Sequence, residues 1–120
     1  MKLAVTAQGR DLDSPVDPRF GRARYFLLID TETGQVTACD NAQNLNAVQG
    51  AGVQAAQTVV RLGAEGVLTG NVGPKAFATL QAGKVAIYPA VTGTVREALE
   101  AFRSGRLQPA AKPNVEGHWA

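Results

Sequence analysis

Hydrophobic and polar positions fall into clear blocks along the chain. Lys2 to Thr6 (KLAVT) is a short apolar run that predicts a β-strand in the interior of a sheet. From Ala7 to Ala23 no hydrophobic period survives, and prolines, glycines and charges follow one another. A stretch of this length without regular structure is uncommon in a small domain and is usually functional where it occurs. Tyr25 to Asp30 (YFLLID) is apolar on both faces and predicts a second strand. Thr31 to Gly34 reads as a turn, with Gly34 suited to a left-handed bulge position, and Gln35 to Asp40 reads as the antiparallel return strand. Asn41 to Asn46 is a polar loop.

Beyond it the period lengthens to that of a helix. Asn46 with Gln49 matches a capping box, and Val53, Ala56 and Val60 form a stripe flanked by Ala55, Val59 and Leu62, closed by Gly63. Gly66 to Thr69 (GVLT) predicts a buried strand. Gly70 to Gly73 is a tight loop, and Pro74 suits the first position of a helix that carries Phe77 and Leu80 on one face and ends at Gly83. Val85 to Tyr88 (VAIY) predicts a further strand, stopped by Pro89. Thr94 and Glu97 form a second capping box ahead of Val95, Leu99 and Phe102, with Gly105 as the stop. The order β, loop, β, β, α, β, α, β, α predicts an α/β domain with a mixed five-stranded sheet and three helices. It spans residues 1–106, and residues 107–120 form an extended tail ending in His118, Trp119 and Ala120.

Composition narrows the class. A chain of 120 residues that is 45% hydrophobic and 18% charged is one ordinary globular domain. Cys39 is the single cysteine, which excludes an intrachain disulfide, a zinc finger and a four-cysteine iron–sulfur site. No signal peptide is visible, and the longest aliphatic or aromatic run, Tyr25 to Ile29, is too short to span a bilayer, so a cytoplasmic location without membrane contact is expected. A net charge of +2 from twelve cations and ten anions is not a nucleic-acid-binding composition. Its distribution matters more: Arg10, Arg19, Arg22 and Arg24 crowd the first loop, and arginine is a good partner for oxyanions. The competing reading is a solvated loop in which these arginines pair with Asp11, Asp13 and Asp17.

In open α/β sheets, ligands sit beyond the carboxyl ends of the strands, near helix N-termini. Three segments converge there: the first loop, the helix entry near Gly50, and the TGNVGPK turn from Thr69 to Lys75. Gly70 and Gly73 would let the backbone approach a ligand, amides at the helix start could donate to an anion, and Lys75 places a cation where it opposes the helix dipole. The glycine spacing is not that of a Walker motif, and an ordinary strand-to-helix turn would read the same way. Catalytic constellations are thin. His118 is the single histidine, Cys39 falls in an apparent strand, and neither the first strand nor the Val67-Leu68 strand carries a carboxylate. A catalytic role is therefore not expected.

Four segments taken together carry a resemblance: DPRFGRARYFLLID (Asp17 to Asp30), GAGVQAAQ (Gly50 to Gln57), TGNVGPKAF (Thr69 to Phe77) and VEGHW (Val115 to Trp119). They resemble the nitrogenase iron–molybdenum cofactor biosynthesis accessory family, that is, the dinitrogenase cofactor-binding domain found also as small stand-alone proteins. The resemblance implies a ribonuclease H-like α/β/α three-layer fold. It also implies a non-catalytic role in binding or carrying an iron–sulfur or iron–molybdenum cluster precursor. Implied cluster-facing residues are Arg19, Phe20, Gly21 and Arg22 in the first loop, Gly50 and Gly52 at the helix entry, and Gly70, Asn71, Gly73 and Lys75 in the turn. His118 and Cys39 are the candidate metal ligands. Gln49 stands where members of the family often carry histidine. A cluster donor or acceptor protein is the implied partner, with the chain a monomer or weak homodimer. Two other classes remain open at this point: a binding module for a phosphorylated small molecule or nucleotide, and a protein-interaction domain that docks through its tail.

Overall fold

The computed structural model of the chain describes residues 1–41 and 50–115. The expected Asn46–Gln49 box, and His118 and Trp119, lie outside the described residues. Strands β1 (Lys2–Ala7), β2 (Tyr25–Asp30), β3 (Val36–Asp40), β4 (Gly66–Leu68) and β5 (Ala86–Tyr88) form one sheet in the spatial order β3-β2-β1-β4-β5. Helices α1 (Ala51–Arg61), α2 (Pro74–Ala82) and α3 (Val95–Arg103) complete the elements among the described residues.

The register explains where a site can be. β1 and β2 are antiparallel, with Ala7 opposite Tyr25, and β2 and β3 are antiparallel, with Tyr25 opposite Asp40. β1, β4 and β5 are parallel. Two reversals leave β3 running with β1, so the carboxyl ends of β1, β3, β4 and β5 share one edge. Each helix follows such an end and returns toward the opposite edge. All three helix N-termini therefore point at the same rim.

Alternation along the strands makes three layers. Ala4, Phe26, Val67 and Ile87 face α1 and α2, whereas Leu3, Val5, Leu27, Ile29 and Leu68 face α3. The mixed α/β fold, with five strands and three helices among the described residues, is thus the one the periodicity predicts. The buried face of α1 differs from the expected stripe: Ala51, Ala55, Ala56 and Val59 are buried, while Val53 and Val60 are half-buried. The reason is the close packing of α2 on α1, since a Cβ on Gly83 would lie 2.5 Å from a methyl carbon of Val60. Small side chains set that spacing.

The first loop is not the unstructured segment its sequence predicts. Ala7 pairs with Val16, Pro15 with Thr94 and Arg19 with Asn71 in isolated β-bridges. Val16 and Phe20 are buried in the two core clusters, one on each side of the sheet. The segment after α3 is docked as well. The Ala110 amide donates to the Ile87 carbonyl at 2.8 Å, and Leu107 packs on the α3-side cluster. Neither contact has a local sequence period, because each depends on a residue far along the chain.

Candidate functional site

The rim is built from hydrogen bonds between distant segments. The Thr6 hydroxyl donates to the Asp17 carbonyl (2.8 Å) and shares a second hydrogen bond with the Thr69 hydroxyl (2.8 Å), all within the buried core. This pins the end of β1 to the first loop and to the end of β4. Asp17 is only 4% exposed, and its carboxylate accepts the backbone N–H of Arg19 (3.0 Å) and of Arg24 (3.4 Å). Both ends of the arginine segment are thereby closed on one side chain, as an Asx-type turn.

Within that segment the residues divide the work. Phe20 is fully buried, with its ring centroid 5.7 Å from that of Phe26. Gly21 is buried, and its carbonyl accepts from Asn41 Nδ2 at 3.2 Å, while the Ala23 carbonyl accepts from the same nitrogen at 2.8 Å. Phe20 and Gly21 are therefore anchors, and Arg19 and Arg22 flank them. The Arg19 side chain is half-exposed, with Nε 4.0 Å from Asp17 Oδ1. Arg22 is half-buried. Arg10 and Arg24 lie over the Tyr25 ring, at 5.5 and 5.6 Å from its centroid. A hydrogen bond to Tyr25 raises the Arg24 pKa further above its already high ordinary value. Of the acids proposed as partners, Asp17 approaches Arg19. Asp13 pairs with Arg96 (3.1 Å), and Asp11 accepts from the Asp13 amide and the Ser14 hydroxyl.

The turn after β4 is wired on both sides. The Asn71 N–H donates to the Pro18 carbonyl (2.7 Å), the Phe20 N–H donates to the Asn71 carbonyl (3.2 Å), and Asn71 Nδ2 also donates to the Pro18 carbonyl (3.0 Å). From the other side Asn114 accepts the Val72 N–H on Oδ1 (2.8 Å) and donates through Nδ2 to the Gly70 carbonyl (3.1 Å) and Asn71 Oδ1 (3.3 Å). Gly70 has a different reason from the one its sequence position implies. A Cβ there would sit 2.6 Å from Pro18 Cα and from the Pro18 carbonyl oxygen, so the open face of this glycine admits the protein's own first loop.

Three helix starts meet this rim, and they are not equivalent. At α3 the Thr94 hydroxyl accepts the Glu97 N–H (3.1 Å) and Glu97 Oε1 accepts the Thr94 N–H (2.9 Å), a closed capping box with an acid in the first turn. α2 starts after Gly73, in extended conformation, with no side-chain cap and no acid in its first turn. α1 starts after Gly50 at φ 81°, again without a side-chain cap or a first-turn acid, and half-buried Gly52 adds no polar group. First-turn amides have no intrahelical partner, and among the described residues neither α1 nor α2 has a side-chain N-cap, so both, packed on one face of the sheet, direct N–H groups and positive dipole ends at the same edge. Lys75 is exposed in the first turn of α2 and adds to that charge. The rim can hold an anion.

Its metal-ligating capacity is small. Cys39 sits one residue before the end of β3, opposite Phe26, half-buried against the core, and burial raises its thiol pKa above the ordinary value. A thiol raised in this way is less readily a thiolate ligand near neutral pH. Among the described residues, no three or more His, Cys, Asp and Glu side chains are grouped to hold a metal ion. A shallow depression of about 590 Å³ opens at the opposite edge, lined by Met1, Lys2, Asp30, Glu32, Gly63 and Glu65. Three acids against one lysine and the N-terminal amine give it the wrong sign for an anion. No helix among the described residues is long and apolar enough to cross a membrane.

Sequence reasoning named Asp17 only as a partner for the loop arginines, not as the acceptor of backbone N–H groups, and it missed Asn41 and Asn114, which also build the rim. Asp17 precedes a proline in a loop, which is a legible turn signal. The other two carry no local signal.

The chain has 43% identity to the orange protein of Desulfovibrio gigas, solved in its apo form, with a TM-score of 0.93 over 95% of this chain and 96% of that one. A Thermotoga protein of the DUF35 family with a provisional NifB designation is 40% identical, with a TM-score of 0.83 over 97% of this chain and 98% of that one. An uncharacterized protein of Methanocaldococcus jannaschii is 26% identical over 110 residues, 90% of either chain. The family model described as dinitrogenase iron–molybdenum cofactor matches residues 1–105. With that match spanning β1 to the end of α3, the chain belongs to the dinitrogenase iron–molybdenum cofactor family.

Proposed function

We propose that the protein is a small carrier that binds an anionic iron–sulfur or iron–molybdenum cluster precursor at the carboxyl edge of its sheet and passes it on without turning over a substrate. The observation that carries this reading is the difference among the helix starts: α3 closes a capping box, while among the described residues α1 and α2 have no side-chain N-cap, beside Lys75 and the Arg19–Arg22 segment. Metal–sulfur clusters of this kind are anionic cargo. Oriented amides, helix dipoles and guanidinium groups hold such cargo electrostatically and still release it. A poor set of covalent ligands suits a carrier better than it suits a resident cofactor site. Arg19 and Arg22 contribute charge and N–H donors, Phe20 and Gly21 fix their backbone, and Gly50, Gly52 and Gly73 keep the helix entries free of side-chain caps. Gly70 and Asn71 join the turn to the first loop. Cys39 at the end of β3 and His118 in the tail are the soft or borderline donors this chain would add. A donor or acceptor protein completes the transfer.

Anaerobic reconstitution with ferrous iron and sulfide tests the reading. Visible absorbance and bound iron are expected in the wild-type protein, reduced several-fold in Arg19→Ala. No uptake at micromolar cluster contradicts it. The same cradle also fits a phosphate group, and inorganic phosphate or a nucleotide that raises the melting temperature where cluster does not bind would favour that second reading.

A further inference from the structure

The site's turn is held from one side by the first loop and from the other by residues beyond the span of the family match. Asn114 is the contact on that second side. One side-chain amide meets three groups of the turn: it accepts the Val72 N–H (2.8 Å) and donates to the Gly70 carbonyl (3.1 Å) and to Asn71 Oδ1 (3.3 Å). The amide thus imitates a paired strand along Gly70 to Val72, the segment that leads into Gly73 and the start of α2. Its approach is fixed upstream, where the Ala110 N–H donates to the Ile87 carbonyl (2.8 Å) at the β5 edge and Leu107 packs on the α3-side core. Residues 107–114 therefore form a strap that is anchored at Leu107 and Ala110 and reaches the rim at Asn114.

We infer that Asn114 is a positioning residue for the anion site, and that docking of this strap and binding of cargo are coupled. The inference rests on the function proposed above. Two considerations set its direction. First, the strap fixes the backbone immediately ahead of α2, so the first-turn amides of that helix are oriented before cargo arrives, and no ordering cost falls on binding. Second, Asn114 occupies two oxygens of the turn, the Gly70 carbonyl and Asn71 Oδ1, against one N–H. Releasing it uncovers more negative than positive polarity beside an anionic ligand. Undocking the strap weakens cargo binding, and by linkage bound cargo holds the strap down.

The test uses the full chain with Asn114→Ala and Asn114→Asp, and two readouts. Amide hydrogen exchange in the cargo-free protein reports the strap by itself. Asn114→Ala is expected to speed exchange at Val72 at least tenfold while Leu3 and Val5 in β1 keep their protection; Asn114→Asp, which retains an acceptor, leaves Val72 protected. Retention of a cluster assembled anaerobically from ferrous iron and sulfide reports the coupling. A several-fold loss is expected in both variants: Asn114→Ala loosens the turn, and Asn114→Asp adds a carboxylate and loses an N–H donor. In the wild type, cluster loading should slow exchange at Ala110. Fast Val72 exchange in Asn114→Ala with wild-type cluster retention overturns the coupling and leaves the strap a feature of the fold alone. Failure of the wild-type protein to retain any cluster is seen in that arm alone; it overturns the functional reading, and the coupling with it.

Discussion

At the residue scale, one carboxylate organises the arginine segment. Asp17 is buried and accepts two backbone N–H groups, those of Arg19 and Arg24. Removing it strands two donors near the core, an effect of about 2 kcal/mol by the usual cost of losing charge-assisted bonds to buried groups. Asp17→Ala is therefore expected to lower unfolding free energy by about that amount in a urea titration. Asp17→Asn, which keeps a carbonyl acceptor, should lose less. Equal stability of Asp17→Ala and wild type would show that the segment is held by other means. Half-buried Asp30 and exposed Glu97 tie stability to pH. Backbone N–H groups of Glu32 and Thr33 hold Asp30 below its ordinary pKa, and the Thr94 amide and hydroxyl do the same for Glu97. Because both are lowered on folding, their stabilising effect is present above the ordinary carboxylate range and is lost as pH falls through the folded values. Glu97→Gln is expected to show a shallower loss of stability on acidification than wild type. An unchanged slope would remove Glu97 from the acid response.

At the element scale, helices and strands were legible because each has a local period, and their packing partners lie where that period points. The capping box at Thr94 and Glu97, the proline at the start of α2 and the left-handed Gly34 (φ 80°) all stand where the chain's own pattern puts them. What the pattern does not carry is contact between irregular segments. Pro18 with Asn71, Asp17 with Thr6 and Asn114 with Val72 join residues that share no spacing rule, so the first loop read as unstructured and the tail as merely extended. Gly70 shows the consequence for the site. Its glycine is legible and its reason is not, because the atoms that need the space belong to Pro18. Gly70→Ala is expected to destabilise the fold by about 2 kcal/mol or more, the range for a backbone clash in a packed region, with loss of the Asn71–Pro18 bonds in amide exchange. A stable variant with those amides still protected would mean the loop can retreat at little cost.

At the scale of the whole molecule, topology decides the chemistry. Placing β3 parallel to β1 across two antiparallel pairs brings four carboxyl strand ends and three helix starts to one rim. The acids of the opposite edge, Asp30, Glu32 and Glu65, lie at the far ends of the same strands and helices. The helix N-termini and the Arg19–Arg22 segment stand on the side of the sheet opposite those acids. The proposed function places an anionic cargo at this rim, held by helix starts and guanidinium groups without strong ligation.

The most direct measurement is cluster retention after anaerobic reconstitution, read as bound iron per chain and visible absorbance at several salt concentrations. Three proteins are compared: wild type, an Arg19→Ala, Lys75→Ala double variant at the rim, and Arg61→Ala at the far end of α1. If the rim holds anionic cargo electrostatically, retention falls several-fold in the double variant, declines with salt in the wild type as charges are screened, and is unchanged in Arg61→Ala. Equal retention in all three proteins, independent of salt, would contradict the account.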